Sequence, residues 1–425
     1  MLARIILLVL ATLPAPSLAS TLRLVANVNT HGNAGFESFR IGSTTYIAAA
    51  NFWDGRSQDM SARSVVWSVA LNGESLLLSE VQQMHTHGAH GWDYFEAAGA
   101  SGAEGFLVVP NYYGCQHERG PATGNCRSTH VFRWDKALRR FEEARRLRTA
   151  GPGQTDHLLL PDGRAFVVVG ENFNDEVCIY QLRRAEGRAP SLEKVQALPV
   201  PGAGAVAVAH ISSRVYLIAT SYHDHRTGWA TQTKVYGLRE PSSAGQGGFE
   251  GFVEMQVLKT RGCHDAEFET VGGIHFLFLS EDRDAETSVI DSQVFVFSEA
   301  SQRFEPMQRI ATDGAHAAEL FEGPDGAPYL AVANFGDRLG QRYRAQSSVW
   351  RYAREAGRFR RVATVETFGA TDWEHFVLDG RHFLAVSNEG DVAHNKFQVS
   401  QIYELLGDGP PGLATDRSAG LYDEL

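Results

Sequence analysis

Short apolar segments alternate with glycine- and aspartate-rich turns along almost the whole chain. A Thr-x-Gly triplet or its equivalent marks seven starts, near residues 30, 86, 149, 200, 260, 312 and 367. Each start is followed by an apolar run, such as Phe-Leu-Ala-Val at 383–386, and then by a β-branched residue next to an aromatic, such as Ile402-Tyr403. Segments of this composition between tight turns are typical of β-strands. The pattern therefore predicts seven copies of one β-rich repeat.

The seventh repeat is incomplete at its end, and its missing segment stands at the start of the chain. Six repeats finish with a fourth strand, as at residues 359–365, whereas the seventh runs after Tyr403 into a Gly- and Pro-rich tail. Leu22–Val28 leads into the first Thr-x-Gly triplet much as residues 359–365 lead into the last. We therefore predict an all-β fold, a seven-bladed β-propeller of four-stranded antiparallel blades, with the last blade closed by the N-terminal strand. Such closure removes the exposed sheet edges of an open array.

The most regular repeats resemble a known family. One reads Thr-Phe-Gly-Ala-Thr-Asp-Trp-Glu-His-Phe at 367–376 and Phe-Leu-Ala-Val-Ser-Asn at 383–388, and a similar stretch spans residues 86–95. These stretches resemble the EAR repeat, also called the epitempin or EPTP repeat, which the leucine-rich glioma-inactivated proteins contain. The resemblance covers residues 21–405. It implies a seven-bladed propeller that acts as an extracellular, non-enzymatic protein-interaction module.

The net charge and the two ends of the chain indicate the class of partner and the cellular location. The net charge of −11 argues against a nucleic-acid partner, because such binders need a basic surface. Arg4, a short apolar run and the small-residue site at 17–19 predict a signal peptide over residues 1–19, followed by a propeller over 20–405 and a disordered tail over 406–425. No later apolar run reaches the roughly 20 residues of a membrane-spanning helix. We expect a secreted protein, or an ER-lumenal one if Tyr422-Asp423-Glu424-Leu425 acts as a retrieval signal.

Exported proteins form disulfides, which directs attention to the four cysteines. Cys115 and Cys126 bracket one polar, glycine-rich loop, and we predict that they pair. Cys178 and Cys263 fall in repeats that do not adjoin in sequence, so we expect both to be buried free thiols.

In a four-stranded meander, the connection into strand one and the loop between strands two and three lie on the same face. The Thr-x-Gly segments and the long variable loops therefore meet on one loop-rich face. Function concentrates on loops of a rigid scaffold, and exposed Tyr and Trp are frequent interface anchors. The predicted binding residues are Trp53, His87, His90, Tyr112, Tyr113, Tyr222, Trp229, His264, His316 and Tyr343.

An acid stands five residues after the glycine in six repeats, namely Glu37, Asp93, Asp156, Glu267, Glu319 and Glu374, with Ala207 as the exception. One interpretation is structural, with each carboxylate accepting hydrogen bonds from nearby backbone N–H groups. The other is a Ca²⁺ site in the axial channel, for which Asp93, Glu267, Glu319 and Glu374 are the candidates. No other cofactor is predicted.

The histidines near the glycines allow a Zn²⁺ site or a pH sensor, but no His-x-x-x-His spacing supports ligand geometry, and hydrogen-bonded loop histidines are the simpler interpretation.

Catalytic motifs are absent from the sequence, so we expect a binding module for an extracellular or cell-surface protein or glycan. The alternative is a propeller hydrolase or lactonase with a metal or His/Glu site at the channel. A blocked channel favours the binder, and an acid–histidine pair within about 3 Å favours the enzyme.

Overall fold

The computed structural model describes residues 21–53, 62–99, 102–112, 128–184, 190–239, 249–390 and 399–407. These residues form seven four-stranded antiparallel sheets, with helical structure limited to 3-10 turns at Asn172–Asn174 and Arg354–Ala356. Within the described ranges, no helix has the length and apolar character needed to cross a membrane. The sheets are the blades of a propeller, and the predicted all-β class is confirmed.

Three blades come from the first half of the chain. Blade one contains β2 (Asn33–Ile41), β3 (Thr44–Asn51), β4 (Arg63–Asn72) and β5 (Ser75–His85). Blade two contains β6 (Asp93–Gly99), β7 (Gly102–Pro110), β8 (Thr129–Asp135) and β9 (Arg140–Leu147). Blade three contains β10 (Pro152–Leu159), β11 (Ala165–Glu171), β12 (Glu176–Arg183) and β13 (Ser191–Pro199).

Three more blades follow in order. Blade four contains β14 (Ala203–Ile211), β15 (Arg214–Ser221), β16 (Ala230–Leu238) and β17 (Phe252–Arg261). Blade five contains β18 (Cys263–Val271), β19 (Ile274–Glu281), β20 (Val289–Ser298) and β21 (Arg303–Asp313). Blade six contains β22 (Ala315–Glu322), β23 (Pro328–Asn334), β24 (Arg344–Ala353) and β25 (Arg358–Phe368).

Blade seven joins the two ends of the described chain. It contains β26 (Ala370–Leu378), β27 (Arg381–Asn388), β28 (Ser400–Leu405) and β1 (Leu22–Val28). Strand β1 pairs antiparallel with β28, with Leu22 opposite Leu405 and Val28 opposite Ser400. The predicted closure by the N-terminal strand is therefore confirmed.

One apolar core fills the space between each pair of adjacent blades. Between blades seven and one, for example, Phe376 and Phe383 pack with Phe36 and Ile47. The second strand of each blade lies between two such cores, and all seven residues of β11 are buried. Burial of each large apolar side chain contributes about 1.5–3 kcal/mol, so the ring is held by its inter-blade cores.

The recurring β-branched–aromatic pair marks a β-bulge. In blade one the pairing of strands three and four shifts register between Val66 and Trp67, and in blade six it shifts between Val349 and Trp350. In blade seven the shift lies on β1, between Leu24 and Ala26, opposite the Ile402-Tyr403 pair. Because a bulge increases local twist, its repetition at this position gives the outer strands of each blade the same curvature.

The Thr-x-Gly triplet fixes the turn into each inner strand. The hydroxyl of Thr367 pairs with that of Ser347 at 2.8 Å, which ties the end of strand four to strand three. Gly314 has φ +61°, and a Cβ there would overlap the carbonyl oxygen of Gly336. Glycine is therefore required both for the left-handed backbone and for the close approach of the neighbouring loop.

Candidate functional site at the channel mouth

Seven equivalent hydrogen bonds define one mouth of the channel. In every blade the carbonyl of the Thr-x-Gly glycine, or of its equivalent Gly202, accepts a backbone N–H from just beyond strand two, at 2.8–3.1 Å. The donor is the first residue after the strand in six blades and the second, Tyr112, in blade two. The two loop types therefore lie on the same face, as predicted. The residues that donate these bonds form what we name the mouth ring: Phe52, Tyr112, Asn172, Tyr222, Asp282, Phe335 and Glu389.

The asparagines that end the second strands are buried, and their side chains hydrogen-bond neighbouring loops of this face. Asn51 Oδ1 accepts the His31 N–H at 2.9 Å, and its Nδ2 donates to the Arg63 carbonyl at 2.6 Å. In blade three the side chain of Glu171 takes this role by accepting the Ala150 N–H at 3.0 Å, and Asn172 lies in the mouth ring instead. These side chains hold the scaffold and are not available to a ligand.

Inside the mouth, the inner strands of all seven blades line a cavity of about 240 Å³. Among the described residues that line it are eight carboxylic acids and no lysine or arginine. The acids are Glu37, Asp93, Asp156, Asp265, Glu267, Glu319, Asp372 and Glu374. Such a concentration of one charge type in a confined space must be satisfied by hydrogen bonds, protons or cations.

Most of these carboxyl groups bind the next blade. Glu37 Oε1 accepts the Tyr94 N–H at 3.0 Å, and Asp156 Oδ2 accepts the Val208 N–H at 2.6 Å. The series closes where Glu374 Oε1 accepts the Ser38 N–H at 3.0 Å, because this bond joins blade seven to blade one. The structure thus supports the structural interpretation of the recurring acids, which link inner strand to inner strand around the ring.

Burial and mutual repulsion favour the protonated form of these acids. Burial raises the pKa of Glu374 to about 7, and it raises the pKa of Asp156 and of Asp265 to about 6. Burial together with neighbouring carboxylates raises the pKa well above the usual range for four others: Glu37, Glu267, Glu319 and Asp372. Part of the ring therefore carries protons near neutral pH.

Asp93 departs from this scheme, because its partner is a side chain. Its Oδ1 lies 2.7 Å from Nδ1 of His157 on blade three, and its Oδ2 is buried with no hydrogen-bond partner among the described residues. Burial alone would lower the pKa of His157, but the charge and hydrogen bond of Asp93 raise it to about 9. One buried channel acid is thus paired with a half-buried histidine of the next blade.

The four residues predicted for Ca²⁺ all line the cavity but do not form one group. Among the described residues, the carboxylate-containing group in this channel with ligand atoms within 4.8 Å of one another is Asp93, Asp156 and His157. Glu267, Glu319 and Glu374 are instead spread along the wall of blades five to seven. Calcium binding by the predicted set of four stays a prediction.

Three of the predicted histidines converge between the mouth ring and the acids. His90, His264 and His316 come from blades two, five and six, and one ring nitrogen of each lies within 4.8 Å of the others. The ring centroids of His264 and His316 are 3.5 Å apart, and those of His90 lie 5.7 and 6.0 Å away. We name these three residues the histidine cluster.

The histidine cluster is electrically neutral. Burial, together with the nearby charge of Arg338, lowers the pKa of His90 to about 4. Burial lowers the pKa of His264 and of His316 well below the usual range, with further contributions from the other histidines and Arg338. Free, neutral imidazoles are the form that binds metal ions.

The predicted aromatic anchors divide into two kinds. The exposure expected of Trp53 and Tyr343 is wrong, because they are only 6% and 8% exposed. The Trp53 ring packs over Gly32, which has no side chain to hold it off, and Tyr343 packs 5.5 Å from Phe335. Tyr112, Tyr222 and Trp229 are half-buried at the mouth.

The remaining predictions concern His87, Tyr113 and the four cysteines. His87 takes part through its backbone N–H, which donates to Asn111 Oδ1 at 2.7 Å. Tyr113, Cys115 and Cys126 lie outside the described residues. Cys178 and Cys263 are buried free thiols, as expected.

Sequence reasoning missed several mouth residues. Asp282, Phe335 and Glu389 are in the mouth ring, and Arg338 lies 4.2 Å above the Phe335 ring with its guanidinium 3.3 Å from Glu389 Oε2. A signal was present, because each mouth-ring residue stands one residue, or in blade two two residues, after the end of strand two.

Comparisons with known proteins agree with this geometry. The EPTP domain family matches residues 358–405, which hold the last strand of blade six and most of blade seven. The human thrombospondin-type laminin G domain and EAR repeat-containing protein aligns over 158 residues at 31% identity, covering 37% of this chain and 23% of that protein. Its mouse counterpart aligns over 137 residues at 32% identity, covering 32% of this chain and 20% of that protein. The alignments span less than a quarter of either relative.

Solved structures share the architecture at low identity. A candidate 6-phosphogluconolactonase from Bacteroides uniformis superimposes with a TM-score of 0.54 and 11% identity, covering 82% of this chain and 89% of that one. BBS1N in complex with ARL6DN superimposes with a TM-score of 0.51 and 9% identity, covering 91% and 96%. At these identities the likeness shows the fold alone. The chain is thus a seven-bladed β-propeller whose residues 358–405 match the EPTP domain family and whose repeats are similar to those of EAR repeat-containing relatives.

Proposed function

We propose that this propeller is a non-enzymatic protein-interaction module that binds a partner protein with its mouth face. The observation that supports this most is the way in which the mouth loops of successive blades are locked to one another. A surface that is ordered before binding loses less conformational entropy when a partner docks. The EPTP relationship points to the same class of function.

The locking runs through blades four to seven. Tyr222 Oη donates to Asp282 Oδ2 at 3.0 Å, and the guanidinium of Arg283 lies 5.2 Å from the Trp229 ring centroid. Arg283 also reaches Asp337 on blade six at 3.7 Å. The loop of blade six continues the series to blade seven through the Arg338–Glu389 contact, so four loops form one connected surface.

Exposed side chains project from this locked base. A bridge between Asp337 and Arg342 folds the blade-six loop into a small hairpin, and Leu339 at its tip is 68% exposed. Blade four has a similar bridge between Asp224 and Gly228, with Arg226 exposed at its tip. An exposed apolar tip on the same face as the half-buried Tyr112, Tyr222 and Trp229 is the arrangement expected of an interface anchor.

A matched pair of substitutions tests the choice of face. Leu339→Asp introduces a charge at the mouth, and Leu138→Asp introduces one in the β8–β9 turn on the opposite face, where Leu138 is 56% exposed. In affinity capture from the native extracellular fraction, we expect Leu339→Asp to lose partners that both wild type and Leu138→Asp retain. Equal capture by all three proteins, or loss with Leu138→Asp alone, would show that the mouth is not the binding face.

A second candidate, a hydrolase or lactonase, is favoured by one observation. The 2.7 Å contact between Asp93 and His157 pairs an acid of the channel lining with a histidine. Against it, most of the channel acids are engaged in links between blades. An assay of lactone and ester hydrolysis decides: activity that disappears in His157→Gln and persists in Leu339→Asp would replace the binding proposal with an enzymatic one.

We also propose that the chain is exported and that its channel acids bind Ca²⁺. Export is supported by the sequence of residues 1–19 and by the extracellular character of the EPTP relationship. Calcium is supported by the number of carboxyl groups in the channel and by the unpartnered Oδ2 of Asp93. A rise in Tm on adding CaCl₂ after dialysis against EDTA is expected, and an unchanged Tm would contradict calcium binding.

A further inference from the structure

The position two residues after each Thr-x-Gly glycine, or its equivalent, differs between blades in a particular way. In blades two, five and six it is His90, His264 and His316, whereas the other four blades have small residues there: Ala34, Gly153, Gly204 and Thr371. Equivalent positions in a propeller lie at the same height around the axis. Because four blades have small side chains at this height, the three imidazoles occupy the cross-section of the channel.

The ring of His316 is oriented by a partner outside the cluster. Its Nδ1 lies 2.9 Å from the carbonyl oxygen of Thr371 on blade seven. A carbonyl only accepts hydrogen bonds, so Nδ1 carries the proton and Nε2 offers its lone pair. Metal-binding histidines commonly show this arrangement, in which a backbone carbonyl holds the nitrogen that does not bind the ion.

The other two histidines have unused nitrogen atoms. Nδ1 of His90 and Nδ1 of His264 are buried, and neither has a hydrogen-bond partner in the described part of the chain. Three neutral rings could serve only to block the channel. Apolar side chains would block it equally well, however, without leaving buried nitrogen atoms unpaired. A bound cation would satisfy them.

We propose that His90, His264 and His316 form a binding site for one transition-metal ion of the Zn²⁺ class at the mouth of the channel. Imidazole nitrogen is a preferred ligand of Zn²⁺, and three protein ligands leave a further position for water or another ligand. The acids below favour Ca²⁺ by their oxygen chemistry, so this site is distinct from the proposed calcium site. It does not depend on the partner-binding proposal.

Arg338 is the feature that opposes a cation here, because its charge disfavours added positive charge at all three rings. That charge is partly offset by Glu389, whose carboxylate lies 3.3 Å from the guanidinium. The site therefore predicts a specific response: Arg338→Ala should bind the metal more tightly than wild type. If the three rings only block the channel, Arg338→Ala should show no gain in metal affinity.

Metal titration of the full chain, after removal of bound ions with a chelator, tests the site. We expect about one Zn²⁺ per chain by calorimetry, with a rise in Tm as the metal stabilises the native state. Co²⁺ should give visible absorption bands of nitrogen and oxygen coordination that Zn²⁺ displaces. His264→Phe and His316→Phe keep aromatic rings in the stack and should each lower the affinity at least tenfold.

The control is the double variant His223→Phe/His225→Phe, which removes the other mouth-face histidine pair, whose ring centroids are 5.8 Å apart. It should bind Zn²⁺ as wild type does. Binding that survives in His264→Phe and His316→Phe, or that is lost in the control, overturns the assignment, as does the absence of binding in wild type. If one Phe variant does not fold, the other and His90→Phe decide.

Discussion

The channel holds two groups of buried titratable side chains that lie a few residues apart on the same inner strands. The acids recur in six of seven repeats, and most accept a backbone N–H from the next blade. The histidine cluster occurs in three repeats, and two of its members have buried nitrogens with no partner among the described residues. Residues that recur in the repeats and have hydrogen-bond partners hold the ring together. Residues that depart from the repeat and have unpaired polar atoms mark the candidate binding site.

The largest effect on stability should come from the acid that closes the ring. Glu374→Ala leaves the Ser38 N–H without its acceptor, which costs about 1–3 kcal/mol of unfolding free energy. Glu374→Gln keeps an acceptor oxygen in place and should change stability by less than about 1 kcal/mol. Urea unfolding at pH 6, where the carboxyl is mostly protonated, measures both. Equal stability of the two variants would mean that Glu374 does not link the blades.

The second effect is a loss of stability as the pH rises from 7 to 8.5 in metal-free buffer. The raised pKa values mean that the folded protein holds protons that the unfolded chain, with glutamate near pKa 4.3, has already released. Stability from this source is complete below the unfolded pKa and is lost as pH rises through the folded one. His157, with its pKa raised to about 9, acts in the same direction over this range.

Each group contributes a slope of at most about 1.4 kcal/mol per pH unit. The lowered pKa values of the histidine cluster act in the opposite direction only at the low end of this range, because unfolded histidines, with pKa near 6.5, have lost nearly all their protons by about pH 8. Tm measured across the range, with Glu374→Gln as the flatter control, checks this. A Tm that rises with pH would contradict the assignment of protons to the acids.

The smallest effect should come from the histidine cluster without metal. His264→Phe replaces a ring that has an unpartnered nitrogen with an apolar ring of similar shape, so the unfolding free energy should change by less than about 1 kcal/mol. The measurement is urea unfolding in the presence of EDTA. A loss of unfolding free energy comparable to that of Glu374→Ala would mean that His264, like the acids, serves to hold the fold together.

The sequence predicted the framework well, because its signals are periodic. The split repeat identified ring closure, and the acids at a constant offset were interpreted as hydrogen-bond acceptors. The sequence left a Zn²⁺ site among the loop histidines open but did not single out this group of three, since His90 is separated from His264 by more than two blades and no local spacing relates them. The exposure of Trp53 was misjudged because a loop position next to Gly32 is buried by the contact that the glycine permits.

The distinction between framework and site is tested most directly by anomalous X-ray diffraction from crystals grown with Zn²⁺ and measured at the zinc absorption edge. We predict one strong peak bounded by His90, His264 and His316, and none at Asp93, Asp156 and His157. An empty histidine cluster, or a peak of equal height among the acids, would contradict it.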